Sequence, residues 1–300
     1  MSNVLVVGSV ALDTLETPHG RADNALGGSA THFALAASRF APVRLVGVVG
    51  KDFPSEHLEM LKGQKIDLSG LQIVDGKTFR WHGRFVGDMS RAETVSVELN
   101  VLATFQPKVP PAFASTPYVL LGNASPDVQL AVLDQLKTPK FVMLDTMNLW
   151  ISTQRPALLK LLPKVDAVCI NFEEALQLAE TTSGAKAVRR ILDLGAKTLI
   201  MKRGEHGATL ATRDGQFTSP SFPTDRVVDP TGAGDSFAGG TLGYLAQAGA
   251  EKNALRHAII YGSVMGSFAV EEFGTKRIQS VTREEIDLRA RSILDMLSVS

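Results

Sequence analysis

The sequence predicts an α/β fold: a mostly parallel β-sheet with helices on both faces, plus a small second β-sheet. Three observations predict it. Short β-branched runs recur, each ending in glycine or polar residues: "NVLVVG" (3–8), "VRLVGVVG" (43–50), "KFVMLD" (140–145), "DAVCIN" (166–171) and "KTLIMKRG" (197–204). Segments of helical composition separate them, at 27–40, 126–137, 155–162, 172–180 and 184–194. Continuous apolar strands alternating with helices indicate a parallel sheet covered on both faces. One region follows a different period. In "TFRWHGRFV" (78–86), Phe79, Trp81 and Phe85 alternate with Arg80, His82 and Arg84, and "TVSVEL" (94–99) alternates likewise. Period two marks strands with one apolar face. The turn-rich "GDMSRAE" (87–93) between them makes an antiparallel insertion, either a lid or a plain β-extension. From Gly234 onward three helices are expected, at 234–248, 252–271 and 283–297.

Composition narrows the function classes. The 300 residues are 44% hydrophobic, enough for one large core with an appendage. No repeat or interdomain linker interrupts them, so 1–300 reads as a single domain whose lid comes from segments near 10–24 and 71–100. Lys+Arg and Asp+Glu both number 31, a net charge of zero that argues against nucleic-acid or anionic-membrane partners. The single cysteine, Cys169, excludes an internal disulfide and fits a reducing compartment. It lies in an apolar run, as an inert core thiol would. No apolar run reaches the roughly 18 residues of a membrane helix. The start reads as a first strand rather than a secretory signal, so the expected location is cytoplasmic. None of the six histidines shows a zinc-site spacing.

In such sheets ligands bind beyond the carboxyl ends of the strands. The segment "DPTGAGDSF" (229–237) suits that place. Gly232, Ala233 and Gly234 would turn successive N–H groups into the start of a helix. There the groups lack intrahelical partners and sit at the positive end of the dipole. Asp235 follows directly. It is either an ordinary helix-start acid or a group that accepts a hydroxyl proton beside a bound anion. Phosphoryl transfer needs the second combination.

"DPTGAGDSFAGG" (229–240) closely resembles the C-terminal signature of the ribokinase-like (PfkB) carbohydrate kinase family, whose fold is a Rossmann-like α/β domain with a small β lid. The resemblance implies that Asp235 is the catalytic base and that Gly232, Ala233 and Gly234 form the anion hole. "GSVALDTL" (8–15) looks like the family's first strand and loop, which makes Asp13 the acid that binds the acceptor's hydroxyls. "LGGSATHFALAAS" (26–38) resembles the N-terminal signature and implies that Gly27 and Gly28 admit the acceptor closely. The family usually has Asn where this chain has His32, which could meet a hydroxyl or simply pack in the helix.

"NFEE" matches the family's Asn-x-x-Glu motif and implies that Asn171 serves the nucleotide and Glu174 holds Mg2+ through water. Without the family, an Asn cap followed by a first-turn Glu is an ordinary helix start. "MKRGEHGATL" (201–210) looks like the nucleotide-binding turn, with Gly204 and Gly207 and with Lys202 either on the ATP phosphates or solvated alongside Arg203. Asp229 and Thr231 stand where the family draws ligands for K+, and "FGTKR" (273–277) loosely matches a loop near that site.

The implied activity is ATP-dependent phosphorylation of a hydroxymethyl group on a sugar or ribonucleoside, with ATP, Mg2+ and in some members K+. "GGSATHF" and "TFRWHGRF" are more similar to nucleoside-kinase-like members than to ribokinase, and the resemblance is compatible with a homodimer through the lid, which the sequence does not establish. The competing class is a catalytically silent sugar- or nucleoside-binding protein on the same fold. A nicotinamide dehydrogenase ranks lower because no GxGxxG follows the first strand.

Overall fold

The computed structural model describes residues 2–89, 91–249 and 253–298. In chain order its strands are β1 (Val4–Val7), β2 (Ala11–Thr17), β3 (Gly20–Gly27), β4 (Val43–Gly50), β5 (Ile66–Val74), β6 (Arg80–Phe85), β7 (Ala92–Glu98), β8 (Tyr118–Leu121), β9 (Phe141–Leu144), β10 (Ala167–Asn171), β11 (Leu199–Lys202), β12 (Ala208–Thr212) and β13 (Gly215–Ser219). The main sheet is ordered β13-β12-β11-β10-β9-β8-β1-β4-β5. All pairings from β11 to β5 are parallel, and β12 and β13 close one edge antiparallel. The strand order reverses between β1 and β8, the kind of switch point at which α/β sheets open a crevice.

Alternation along β1 builds a core on each face. Val4 and Val6 pack with the helices Ser29–Ala37, Ala233–Ala248 and Ala254–Ala269. Leu5 and Val7 pack with Pro126–Leu133, Arg155–Leu161, Phe172–Leu178 and Gly184–Asp193. Each fully buried side chain of this kind contributes about 1.5–3 kcal/mol. The third terminal helix is Arg283–Leu297, preceded by a short helix at Lys276–Ser280. The expected helix at 252–271 runs Ala254–Ala269, and residue 252 lies outside the described residues, as does Ser90 in the expected turn. No helix among the described residues is long and apolar enough to cross a membrane.

The small sheet, the lid, is ordered β3-β2-β6-β7. Its β2–β3 and β6–β7 pairs are antiparallel, and β2–β6 is parallel. The lid segments therefore differ from those expected. The first extends to Gly27, and the second begins at Arg80 rather than near 71. Residues 66–74 instead pair with β4 as the edge of the main sheet, where only Ile66 and Gly70 are buried. Half-solvated edges mix polar and apolar residues, which is why this strand resembled the lid.

The helix Ala233–Ala248 matters most for the site. It carries Gly239, Gly240 and Gly243, each unfavourable in a helix by about 1 kcal/mol. Packing against Ser29–Ala37 requires them: a methyl on Gly239 would lie 2.4 Å from the Phe33 carbonyl oxygen and 2.9 Å from Ala36 Cβ. Gly239→Ala should therefore lower stability by about 1–3 kcal/mol through overpacking. Urea unfolding should show a lower midpoint at an unchanged slope; an unchanged midpoint would contradict the close helix contact.

Candidate active site

Three consecutive parallel strands deliver three polar residues to one edge. Asp145 follows β9, Asn171 ends β10 and Lys202 ends β11, with Asn171 and Lys202 directly paired. Adjacent strands lie about 4.8 Å apart, so side chains at successive strand ends can meet. Lys202 Nζ stands 3.6 Å from Asp145 Oδ1, and both side chains are nearly buried. Arg203, one residue on, is exposed, so the lysine turns in and the arginine out.

The helix Ala233–Ala248 opens directly above this edge. Gly232 caps it in the left-handed conformation (φ 72°, ψ 3°), which glycine adopts without strain. A methyl on Gly234 would lie 3.2 Å from Lys202 Nζ, so the ammonium sits against the glycine turn. Of the turn's three residues, Ala233 already donates its N–H to the Pro230 carbonyl at 3.2 Å. Asp235 is in the first helical turn, where the dipole favours an anion.

Asn171 and Glu174 form a reciprocal capping box. Asn171 Oδ1 accepts from the Glu174 N–H and Glu174 Oε2 from the Asn171 N–H, both at 2.8 Å. The ordinary helix-start reading of "NFEE" thus holds, and it leaves Glu174 Oε1 for other work. Glu174 is itself part of the charge cluster.

Burial pushes Glu174 up to about 7; Lys202 opposes the rise and Asp145 adds to it. Burial also pushes Asp235 up to about 7, with Asp145 and Glu174 raising it and Lys202 lowering it. Asp145 is raised by burial against the pull of Lys202. Burial draws the Lys202 ammonium down, but the surrounding anions, Asp145 first, outweigh it and hold its pKa above the ordinary lysine value. One cation thus serves three carboxylates. These are hard oxygen donors short of positive charge, a set that suits Mg2+. Among the described residues no three such groups converge closely enough to ligate a metal directly.

The lid side holds Asp13. Its carboxylate occupies the space of a Gly27 side chain: a methyl there would lie 1.9 Å from Asp13 Oδ2. Burial raises Asp13 to about 7; the Trp81 and Gly28 N–H groups oppose the rise, while Asp229 and Asp235 add to it. Asp13 Oδ1 has no hydrogen-bond partner. Gly28 (φ 92°) starts the helix Ser29–Ala37. His32, 1% exposed, lays its ring on Gly232, where a methyl would come within 2.2 Å of Nδ1. Both ring nitrogens lack partners, and burial alone lowers the imidazole to about 4, so it is neutral.

Asp229 is fully buried. Its Oδ1 accepts from the Thr231 N–H at 3.0 Å and its Oδ2 from the Gly274 N–H at 2.8 Å, which ties the "FGTKR" loop to the site. Thr231 Oγ1 is buried without a partner, an orphan oxygen that suits a cation. Gly204 and Gly207 flank the exposed turn after β11. Cys169 is fully buried and pushed up to about 12 by that burial, an inert thiol. Asp145 is the residue sequence reasoning missed. The available signal was an Asp directly beyond an apolar strand run.

A lid over the carboxyl edge of such a sheet is the architecture of ribokinase-type kinases. Residues 1–281 match the pfkB family carbohydrate kinase profile, and the chain belongs to this family. It is 34% identical over 250 residues to a cytidine kinase of Thermococcus kodakarensis, covering 81% of this chain and 88% of the relative. It is 25% identical over 290 residues to an aminoimidazole riboside kinase of Salmonella typhimurium, covering 91% of each. Two solved structures share the fold. A Methanocaldococcus jannaschii nucleoside kinase aligns with a TM-score of 0.79 at 22% identity, over 97% of this chain and 99% of that one. A Vibrio cholerae fructokinase with fructose, ADP and potassium bound aligns at 0.82 and 19%, over 97% and 98%.

The raised carboxylates set a pH dependence of stability. Unfolded Asp and Glu titrate near about 4. The folded chain holds protons on Asp13, Glu174 and Asp235 up to about pH 7. Between these values the native state binds more protons than the unfolded one, so these groups' contribution falls as pH rises from about 4 to 7. Asp235→Asn should therefore stabilise the ligand-free protein on the order of 1–3 kcal/mol at pH 8 and little at pH 4.5. Urea unfolding at both pH values checks this; an equal effect at the two would contradict it.

Proposed function

We propose that this chain transfers the γ-phosphoryl group of ATP to a hydroxymethyl group of a sugar or ribonucleoside. The observation that carries the proposal is Asp235 at a glycine-started helix, in one charge cluster with Lys202, Asp145 and Glu174. The reaction needs a group to take the hydroxyl proton and fixed positive charge on the transferring phosphoryl group. Asp235 accepts the proton. Its pKa, raised to about 7, makes it a better base at neutral pH than an exposed aspartate. Lys202 and the N–H groups of Gly232 and Gly234 stabilise the phosphoryl oxygens, the Ala233 N–H being taken by the Pro230 carbonyl, and the turn at Gly204 and Gly207 carries the nucleotide. Magnesium, when bound, neutralises charge on the phosphates; Glu174 and Asp145 are the residues that would hold its waters.

Asp13 binds the acceptor's hydroxyls with its unpartnered Oδ1, in the space Gly27 and Gly28 leave, beside His32. Buried Asp229 and the orphan Thr231 hydroxyl are the candidates for a K+ site. The cytidine kinase likeness supports a nucleoside over a simple sugar as acceptor. Purified protein should release ADP from ATP only when an acceptor from a sugar and nucleoside panel is present. Asp235→Asn should lower kcat by about 10²–10⁴ while remaining folded. Wild-type turnover by that variant would overturn the assignment.

A further inference from the structure

The chain passes between the body of the fold and the lid four times, next to residues 10, 28, 78 and 100. Segment 77–80, which leads into β6, gathers the other crossings. The Phe79 carbonyl accepts from the Leu12 N–H at 3.0 Å, and Phe79 pairs with Ala11. Arg80 donates to Asn24 Oδ1 on β3 at 2.5 Å. On the chain leaving β7, Asn100 Nδ2 donates to the Thr78 carbonyl at 3.0 Å and the Val101 N–H to the Lys77 carbonyl at 3.1 Å. The segment is therefore the root at which the lid is held together.

Asp52 fastens this root to the main sheet. It lies two residues beyond the end of β4. Its Oδ1 accepts from both the N–H and the hydroxyl of Thr78, each at 2.7 Å, and its Oδ2 accepts from the Arg80 guanidinium at 3.3 Å. Thr78 is fully buried, and its Oγ1 accepts in turn from the N–H of Gly50, the last residue of β4, at 3.1 Å. The packing there has no slack: a methyl on Gly50 would lie 2.3 Å from the Gly76 carbonyl oxygen and 2.7 Å from the Thr78 nitrogen. A partly solvated ion pair such as Arg80–Asp52 contributes little alone. The two short, charge-assisted bonds to buried Thr78 carry the clamp.

The path from this clamp to the site is short. Thr78 precedes Phe79, Phe79 holds Leu12, and Asp13 follows Leu12. The Asp13 carboxylate fills the space beside Gly27, and Gly28 starts the helix whose His32 rests on Gly232. We propose that Asp52 is a positioning residue: it fixes the lid root to β4 and so holds Asp13 at the site. Its part in the reaction rests on the kinase reading above, in which Asp13 binds the acceptor. Loss of charge-assisted hydrogen bonds corresponds to about a 10- to 100-fold effect, and a misplacement of about 1 Å caused from a distance can cost as much.

Hydrogen exchange reads the clamp independently of activity. In Asp52→Ala the amides of 10–17 and 79–85 should exchange about 10- to 100-fold faster than in the wild type, with 118–121 in the main sheet unchanged. With an acceptor that the wild type phosphorylates, the same variant should raise the acceptor's KM about 10- to 100-fold and leave KM for ATP unchanged. Asp52→Asn keeps an acceptor oxygen for Thr78 and should recover most of both effects. Thr78→Val removes one of the two bonds in nearly the same volume and should show both effects to a smaller degree, which serves if Asp52→Ala does not fold. Unchanged lid exchange in these two variants would overturn the proposal whether or not the chain is a kinase. So would an unchanged acceptor KM, which leaves the kinase reading intact. Turnover of no acceptor overturns the kinase reading, and lid exchange then decides the clamp by itself.

Discussion

One buried ammonium among three carboxylates is the constraint on which the site depends. Among the described residues Lys202 is the cation that offsets Asp145, Glu174 and Asp235. Buried charges are tolerated only when paired, because desolvation of each is expensive. Burial first, and then neighbouring acids that one cation only partly offsets, push Glu174 and Asp235 up to about 7, so the ligand-free protein balances itself by holding protons. Magnesium and phosphate together would relieve the same imbalance in another way. The cluster is thus a destabilised arrangement suited to a charged ligand, and structural optimisation alone would not retain it.

The fold exists to bring these groups together. Parallel strands β9, β10 and β11 line up Asp145, Asn171 and Lys202, and no single segment of chain could. The helix Ala233–Ala248 must then sit close enough to lower Asp235 onto them, and Gly239 permits the approach to the helix Ser29–Ala37. That second helix carries His32, whose ring rests on Gly232. The helix Ser29–Ala37 and the glycine turn are therefore in direct contact. A change at His32 should be felt at both.

Local patterns made much of this legible in the sequence. The β-branched runs gave β1, β4, β9, β10 and β11, and the period-two stretch gave the β6–β7 hairpin, because each pattern is imposed by burial of its own residues. The motif around Asp235 located the helix start that the structure contains. What stayed hidden depended on partners distant in sequence. Ile66–Val74 is a half-solvated edge that shows as part of the main sheet only through its pairing with β4. Asp145 resembles any polar residue ending a strand until β10 and β11 bring Glu174 and Lys202 beside it. Lys202 and Arg203 are equivalent by composition; strand geometry turns one inward and the other to solvent.

The central claim is that burial, with too little positive charge to offset it, raises Asp235. Carbon-13 NMR of side-chain carboxyl groups, followed with pH in the ligand-free wild type and in Asp235→Asn, tests it most directly. The account predicts a small set of carboxyl carbons titrating near about pH 7, one of which disappears in the variant while the others move to lower pH. A spectrum in which every carboxyl group titrates near about pH 4, identical in the two proteins, would contradict it.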